Sequence, residues 1–240
     1  MLKRIKSIIR ENRQLQKENL LQLKELEWAH VYHDSIRGKE WLNILPLNIG
    51  RWAGNYAFFY VLNRILSDFK PEKILEFGLG ESSKFVSTFL ENELLNTNHQ
   101  IIEQDIKWFD SFKDKFQLST RSKVAICPLY KRNILDYEVN SYKGLKEVVK
   151  QNSDLYIVDG PFGSQHYSRY DIVELATSFT KNDEFIILID DYQRIGEKET
   201  VQELLRLFKE KDIIIYFGEY SGNKSVCVLG TEKYKSIKSL

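Results

Sequence analysis

ILEFGLGESS, residues 74–83, decides how the rest of the chain is read. Its first half is apolar with β-branched character, its middle is G-x-G, and its end is polar and helix-compatible. A buried strand therefore runs through a glycine turn into a helix. Gly78 and Gly80 permit positive φ and close backbone approach, and the helix start that follows presents N–H groups to a polar ligand. A third glycine, needed where a helix packs tightly beside a pyrophosphate, would fall at Ser83 and is missing.

Outward from this stretch, strands and helices alternate. Expected strands are 73–77, 100–104, 123–127, 154–159 and 184–190, with helices at about 82–95, 106–117, 168–180 and 197–210. The polar stretch 130–152 is expected to end in a helix. Two closing strands, 212–218 and 225–230, are joined by a turn at 221–223, too short for anything but an antiparallel pair. The fold class is thus α/β: a Rossmann-like, mostly parallel seven-stranded sheet with an antiparallel C-terminal strand and helices on both faces. Asn55 is the expected N-cap of a buried helix, NYAFFYVLNRILSDF, that ends before Pro71. Residues 55–240 form this domain, and 1–54 form an N-terminal helical extension and linker.

The extension reads as one helix over about 1–30. Leu2, Ile5, Ile9, Leu23 and Leu26 fall near helical spacing, and Lys3, Arg4, Lys6, Arg10 and Arg13 make its first half basic. A solvated or coiled-coil arm, a contact with an anionic membrane surface, and packing on a partner all fit that pattern. Over the whole chain of 240 residues the formal charge is +1, which gives no reason to expect nucleic acid as a partner. Cys127 and Cys227 lie in apolar surroundings and read as buried, reduced thiols. With no apolar run long enough to span a bilayer and no signal-peptide pattern, a cytoplasmic location is expected, with peripheral membrane contact or homo-oligomerisation through the helix as options.

Ligands of open α/β sheets bind beyond the carboxyl ends of the strands. The chain places Glu76, Gly78, Gly80, Glu81, Ser82 and Ser83 after the first strand, Glu103 and Gln104 after the second, Asp159 after the fourth and Asp190-Asp191 after the fifth. Glu103 is suited to the hydroxyls of a ribose. Carboxylates at Glu76 and Glu81 would repel a pyrophosphate and suit a ligand bearing an ammonium group, which favours S-adenosyl-L-methionine over NAD. Trp52 and Tyr56 are aromatics that either stack on a ligand or join the core.

The same stretch resembles motif I of the class I S-adenosyl-L-methionine-dependent methyltransferases, over roughly residues 55–230. A narrower likeness lies in DGPFGSQHYSRYDIVELA (159–176) and IDDYQRIGE (189–197), similar to motifs of polysaccharide O-methyltransferases of the glucuronoxylan type and of bacterial glycan-cluster methyltransferases. Asp191, Arg194 and Glu197 match that family's pattern, while the Gly-Arg of its substrate loop is Ser168-Arg169 here. The resemblance implies O-methylation of a small-molecule or glycan acceptor, with a sugar hydroxyl as the expected target. Catechol-type O-methyltransferases hold Mg²⁺ with acids at the corresponding strand ends. By that likeness Asp159, Asp190 and Asp191 are candidate ligands for Mg²⁺ or Mn²⁺, although Asp191 stands where that family has Asn. His166 is the candidate general base, and Arg169 the candidate partner for an acidic sugar. A non-catalytic binding or scaffold protein of the same fold is the alternative reading, and an NAD-dependent oxidoreductase the third.

Overall fold

The computed structural model describes residues 2–50 and 52–240. Met1, Arg51 and the side chains of Leu2 and Lys3, two positions counted in the pattern of the basic arm, lie outside the described set.

Seven strands form one sheet in the order β3-β2-β1-β6-β7-β9-β8. They are β1 (Lys73–Phe77), β2 (Asn98–Glu103), β3 (Ser122–Ile126), β6 (Leu155–Val158), β7 (Ile186–Ile189), β8 (Tyr216–Ser221) and β9 (Ser225–Gly230). All neighbours pair in parallel except β9, which runs antiparallel to both β7 and β8. The expected Rossmann-like architecture, with its antiparallel C-terminal strand, is present.

The period-two alternation of each strand sorts its residues between two apolar layers. Ile74, Leu155, Ile157, Ile186, Leu188, Val226 and Val228 face α3 (Tyr56–Arg64) and α4 (Glu81–Asn92). Leu75, Phe77, Tyr156, Val158, Ile187, Ile189, Cys227 and Leu229 face α7 (Asp171–Ala176) and α8 (Ile195–Glu210). Strands covered on both faces must be apolar throughout, which is why β7 reads IILI. Asn55 caps α3 as expected, its side chain accepting from Phe58 N–H (3.1 Å). Both cysteines are buried and free.

Three expectations needed correction. First, the stretch 130–152 contains a β-hairpin, β4 (Leu129–Ile134) and β5 (Tyr137–Tyr142), before the short α6 (Leu145–Val148). Its two turn residues, Leu135 and Asp136, both have positive φ, as a tight hairpin requires, but they are not the Asn-Gly type that announces such a turn. Second, the helix expected at 168–180 spans only 171–176; its start is delayed because Arg169 is left-handed (φ +61°) and cannot lie within a helix. Third, β8 starts at Tyr216 instead of Asp212. Pairing with β9 across a short turn sets its register, so Ile213 is drawn into the core layer while Ile214 is exposed.

The first helix, α1 (Leu2–Ser35), is longer than expected and about 50 Å end to end. Only its last part docks: Trp28 packs on Tyr60 and Tyr220, and Tyr32 on Tyr56, Phe59 and Phe85. Glu25 ties this end down, accepting from Tyr56 N–H, Asn55 Nδ2 and Asn223 N–H. Residues 4–20 are exposed throughout, including Ile5, Ile8, Ile9 and Leu15. The linker then forms a short α2 (Glu40–Asn43). Among the described residues no helix is long and apolar enough to cross a membrane.

Candidate functional site

Strand order reverses between β1 and β6: β2 and β3 lie on one side, β7 on the other. At such a switch point the loops diverge and leave a crevice beyond the carboxyl edge. Gly78 lines it with φ +94°, and a Cβ there would stand 3.4 Å from the backbone nitrogen of Gly160 on the neighbouring strand end. It is the positive φ that favours glycine here; the contact itself is of ordinary length. Gly80 is extended and has open space around it, so no steric demand acts there.

The loop's polar residues are largely spent on the loop itself. Ser83 Oγ accepts from Gly80 N–H (3.0 Å), and Ser82 Oγ donates to Glu76 Oε1. Glu76 is fully buried, with its other oxygen 2.9 Å from His99 Nε2. It is therefore an internal tie between β1, β2 and α4, not a carboxylate offered to a ligand's ammonium group. Glu81 is likewise occupied: it pairs with Lys84 (2.7 Å) and accepts from Asn48 N–H (3.0 Å), fastening the linker to the loop. The sequence shows these charges but not the distant partners that consume them.

Glu103 is the acid that remains at the crevice. One oxygen accepts from Leu79 N–H (2.9 Å), the other from Gln104 and Asp105 N–H (2.7 and 2.8 Å). Burial pushes its carboxyl above the ordinary range, against the pull of those three N–H groups. A carboxylate has about four acceptor positions, so one stays unused. Beside it, Gln104 Oε1 is buried without a partner. Trp108, half exposed on the first turn of α5 (Ile106–Lys113), donates to Leu79 O (2.7 Å) and adds an aromatic face that the sequence reading missed. Its position five residues beyond the end of β2 was the available signal. The earlier candidates do not fill this role: Trp52 is almost fully exposed, and Tyr56 packs on Tyr32 and His33.

Across the crevice lies a second acidic group. Asp159, Asp190 and Asp191 each offer a carboxylate oxygen within 4.8 Å of the others. Arg169 stands among them. Its Nη2 is 3.1 Å from Asp159 Oδ1 and 3.0 Å from Asp191 Oδ2, while Nη1 donates to the carbonyls of Val158 and Asp190 (3.2 and 2.7 Å). The guanidinium is buried and committed to the protein, so it is not the free partner for an acidic sugar that the sequence reading expected. Arg194 (2.9 Å) and Lys224 (3.6 Å) also approach Asp191. Burial pushes Asp159 and Asp190 up, Arg169 opposing it in both. Asp191 is held low despite its burial, by Arg169, Lys224 and Arg194.

These contacts bear on the expected Mg²⁺ or Mn²⁺. The donor chemistry is suitable, since all three are hard oxygens. The electrostatics are not: a dication would share the group with a guanidinium already bridging two of the ligands, and with two further cations on the third. As folded, the residues do not fit a resident divalent ion.

His166 falls in a neighbouring cluster. Its Nδ1 contacts Glu199 (2.9 Å), and its ring stacks on Tyr137 of the hairpin (centroids 4.0 Å apart). The hairpin also holds the loop after β6. Asn140 N–H donates to Ser164 Oγ, Asn140 Nδ2 donates to Phe162 O, and Arg132 pairs with Glu174. From the other side Ser168 N–H donates to Gly196 O at the start of α8 (3.1 Å), where any Cβ would collide with that loop. Tyr142, at the end of β5, stacks on Phe77, and its hydroxyl is buried without a partner beside Gly160. The hairpin's share in the site was invisible in the sequence because the hairpin itself was.

Two clefts open at the opposite, amino-terminal edge of the sheet, one bordered by Lys73, Asp154 and Asp183, the other by His99, Arg121 and Lys123. Neither touches the acids described above.

No known protein family matches the chain, and no curated protein does. Solved structures with a similar course of the chain include an O-methyltransferase from Bacillus cereus in complex with SAH (14% identity, TM-score 0.49, covering 85% of this chain and 91% of that one). Another is the O-methyltransferase TomG from Streptomyces achromogenes, involved in tomaymycin synthesis, in complex with SAM (14%, TM-score 0.45, 84% and 89%). The hMettl16 catalytic domain in complex with an RNA hairpin is a third (12%, TM-score 0.47, 79% and 74%). None of these likenesses reaches the level at which a shared reaction or substrate follows.

Proposed function

We propose that the chain transfers a methyl group from S-adenosyl-L-methionine to an oxygen nucleophile, and that the acceptor is a hydroxyl of a sugar or glycan precursor. The observation that carries this reading is the strand-order switch between β1 and β6, where Gly78 lies against Gly160, with Glu103 and Gln104 on the β2 side and Asp159 on the β6 side. The cofactor fits the β2 side: Glu103 keeps an unused acceptor position and Gln104 Oε1 is a buried, unpartnered acceptor, both suited to adenosine hydroxyls and amines. Trp108 adds a face for the adenine. When bound, the cofactor supplies an electrophilic methyl group on a sulfonium.

The chain's own residues do the rest. Asp159 keeps about a quarter of its side chain exposed, and burial of the rest raises its affinity for a proton. It is thereby suited to take the proton of the acceptor hydroxyl as that oxygen attacks, in place of His166. Arg169 fixes its orientation. His166, Tyr137 and Tyr167 form an outer aromatic wall on which a sugar ring can stack. The exposed basic part of α1 serves to dock the protein, in the cytoplasm, on an anionic membrane surface or on a second copy.

Calorimetry with adenosylmethionine and adenosylhomocysteine tests the cofactor. Folded protein that shows no binding at millimolar ligand removes the methyl-transfer reading, and absence of NAD binding then leaves only the binding or scaffold reading. Transfer of labelled methyl to a panel of sugars and nucleotide-sugars tests the acceptor, and Asp159→Asn should lower the turnover without weakening cofactor binding.

A further inference from the structure

The group formed by Asp159, Asp190 and Asp191 has the makings of a cation site. Asp190 is fully buried, neither of its carboxylate oxygens has a hydrogen-bond partner among the described residues, and one of them lies within 4.8 Å of an oxygen from each of the other two acids. A buried carboxylate without a donor is costly unless a cation stands near it. Lys224 and Arg169 both supply charge to it, and Arg169, which also bonds the carboxylates of Asp159 and Asp191, does so from outside β6 and β7. It arrives from a left-handed backbone at φ +61°, and Asp191 is left-handed as well at φ +58°. Two non-glycine residues held in this sparsely populated region, on the two sides of one ion pair, indicate that the surrounding structure fixes the pair in place. On its far side Arg169 Nε lies 3.7 Å from Glu197, another buried acid whose oxygens have no hydrogen-bond partner.

We propose that Arg169 is the resident cation of the Asp159–Asp190–Asp191 cage: its guanidinium keeps divalent metal out, and its removal turns the cage into a divalent-cation site. Guanidinium keeps its charge at any ordinary pH, so exclusion does not depend on conditions. A metal ion and Arg169 would compete for the same oxygens of Asp159 and Asp191, and Arg169 is tethered there by the fold. The proposal concerns occupancy alone. Its test needs neither cofactor nor acceptor, so its failure and the failure of the methyl-transfer reading are separate outcomes.

The experiment is a titration with Mn²⁺, followed by the electron paramagnetic resonance signal of the free ion, on wild type, Arg169→Ala and Arg169→Gln. Wild type is expected to show no saturable site, and the two variants to bind one Mn²⁺ about tenfold more tightly or better. Adding Asp191→Asn to Arg169→Ala should abolish that binding. If the variants are too unstable to purify without metal, Mn²⁺ should raise their melting temperatures and leave that of wild type unchanged. A saturable Mn²⁺ site in wild type that Asp191→Asn removes would overturn the proposal. So would folded Arg169 variants that bind Mn²⁺ no better than wild type.

Discussion

Glu76 and Glu103, at the ends of β1 and β2, have all four carboxylate oxygens satisfied by nearby donors, whereas Asp190 and Glu197, across the crevice, have none of theirs satisfied. Both groups are acidic, buried and at one edge of one sheet. The first is stabilised through short hydrogen bonds from backbone, serine and histidine. The second depends on cationic charge, chiefly that of the buried Arg169, with Lys224 and Arg194 beside it. Hydrogen bonds from neutral donors distribute the cost of burial over several groups, so losing one is tolerable. Ion pairing through one buried arginine, with Arg194 and Lys224 at the margin, concentrates it, and loss of that arginine leaves buried charges poorly compensated.

Arg169→Ala probes that difference with the largest expected effect. Stability at neutral pH should fall by about 3–5 kcal/mol in urea denaturation, since Asp159, Asp191 and Glu197 all lose the guanidinium they face. The deficit should shrink in acid, where those carboxyls are protonated. A loss no greater than for an ordinary surface substitution would erase the contrast between the two groups.

Asp171 sharpens it from the hairpin side. Burial pushes its carboxyl up to about 6, against Arg132 and the Tyr142 N–H group. Since the folded value lies above the ordinary 3.8, the stability it contributes is fully present below about pH 4 and is lost as pH rises through about 6. Asp171→Asn should therefore flatten the decline of stability across that window, by up to about 3 kcal/mol, as read from melts at a series of pH values.

On the satisfied side, Glu76→Ala leaves His99 and Ser82 without their shared partner and should cost about 1–3 kcal/mol. Glu76→Gln, which keeps an acceptor, should cost less. Neither should alter adenosylmethionine affinity directly, whereas Glu103→Gln should weaken it, as calorimetry would show. The smallest change expected is for Gly78→Ala, where positive φ costs about 1–2 kcal/mol and the new methyl meets Gly160 at ordinary contact distance.

Much of the fold was legible from local pattern. The parallel strands declared themselves as apolar runs between helical segments, Asn55 was recognisable as a cap, and the carboxyl-edge acids lay where alternation placed them. The hairpin at 129–142 was not legible, because Leu135-Asp136 adopts a conformation that its residue types do not advertise. The register of β8 was hidden for a different reason: pairing with β9 fixes it, not the apolar run at 213–215.

The roles of the acids divide along the same line. The sequence by itself determined that glycines and carboxylates would gather at one end of a parallel sheet, because strand period and βα alternation are local properties of the chain. Only the tertiary structure decided which of those charges would be free. Glu76 meets His99 from 23 residues away, and Arg169 meets Asp191 from 22. Burial and ion pairing are set by such meetings between separate segments, and their energies depend on distance and solvent exclusion that no local pattern encodes.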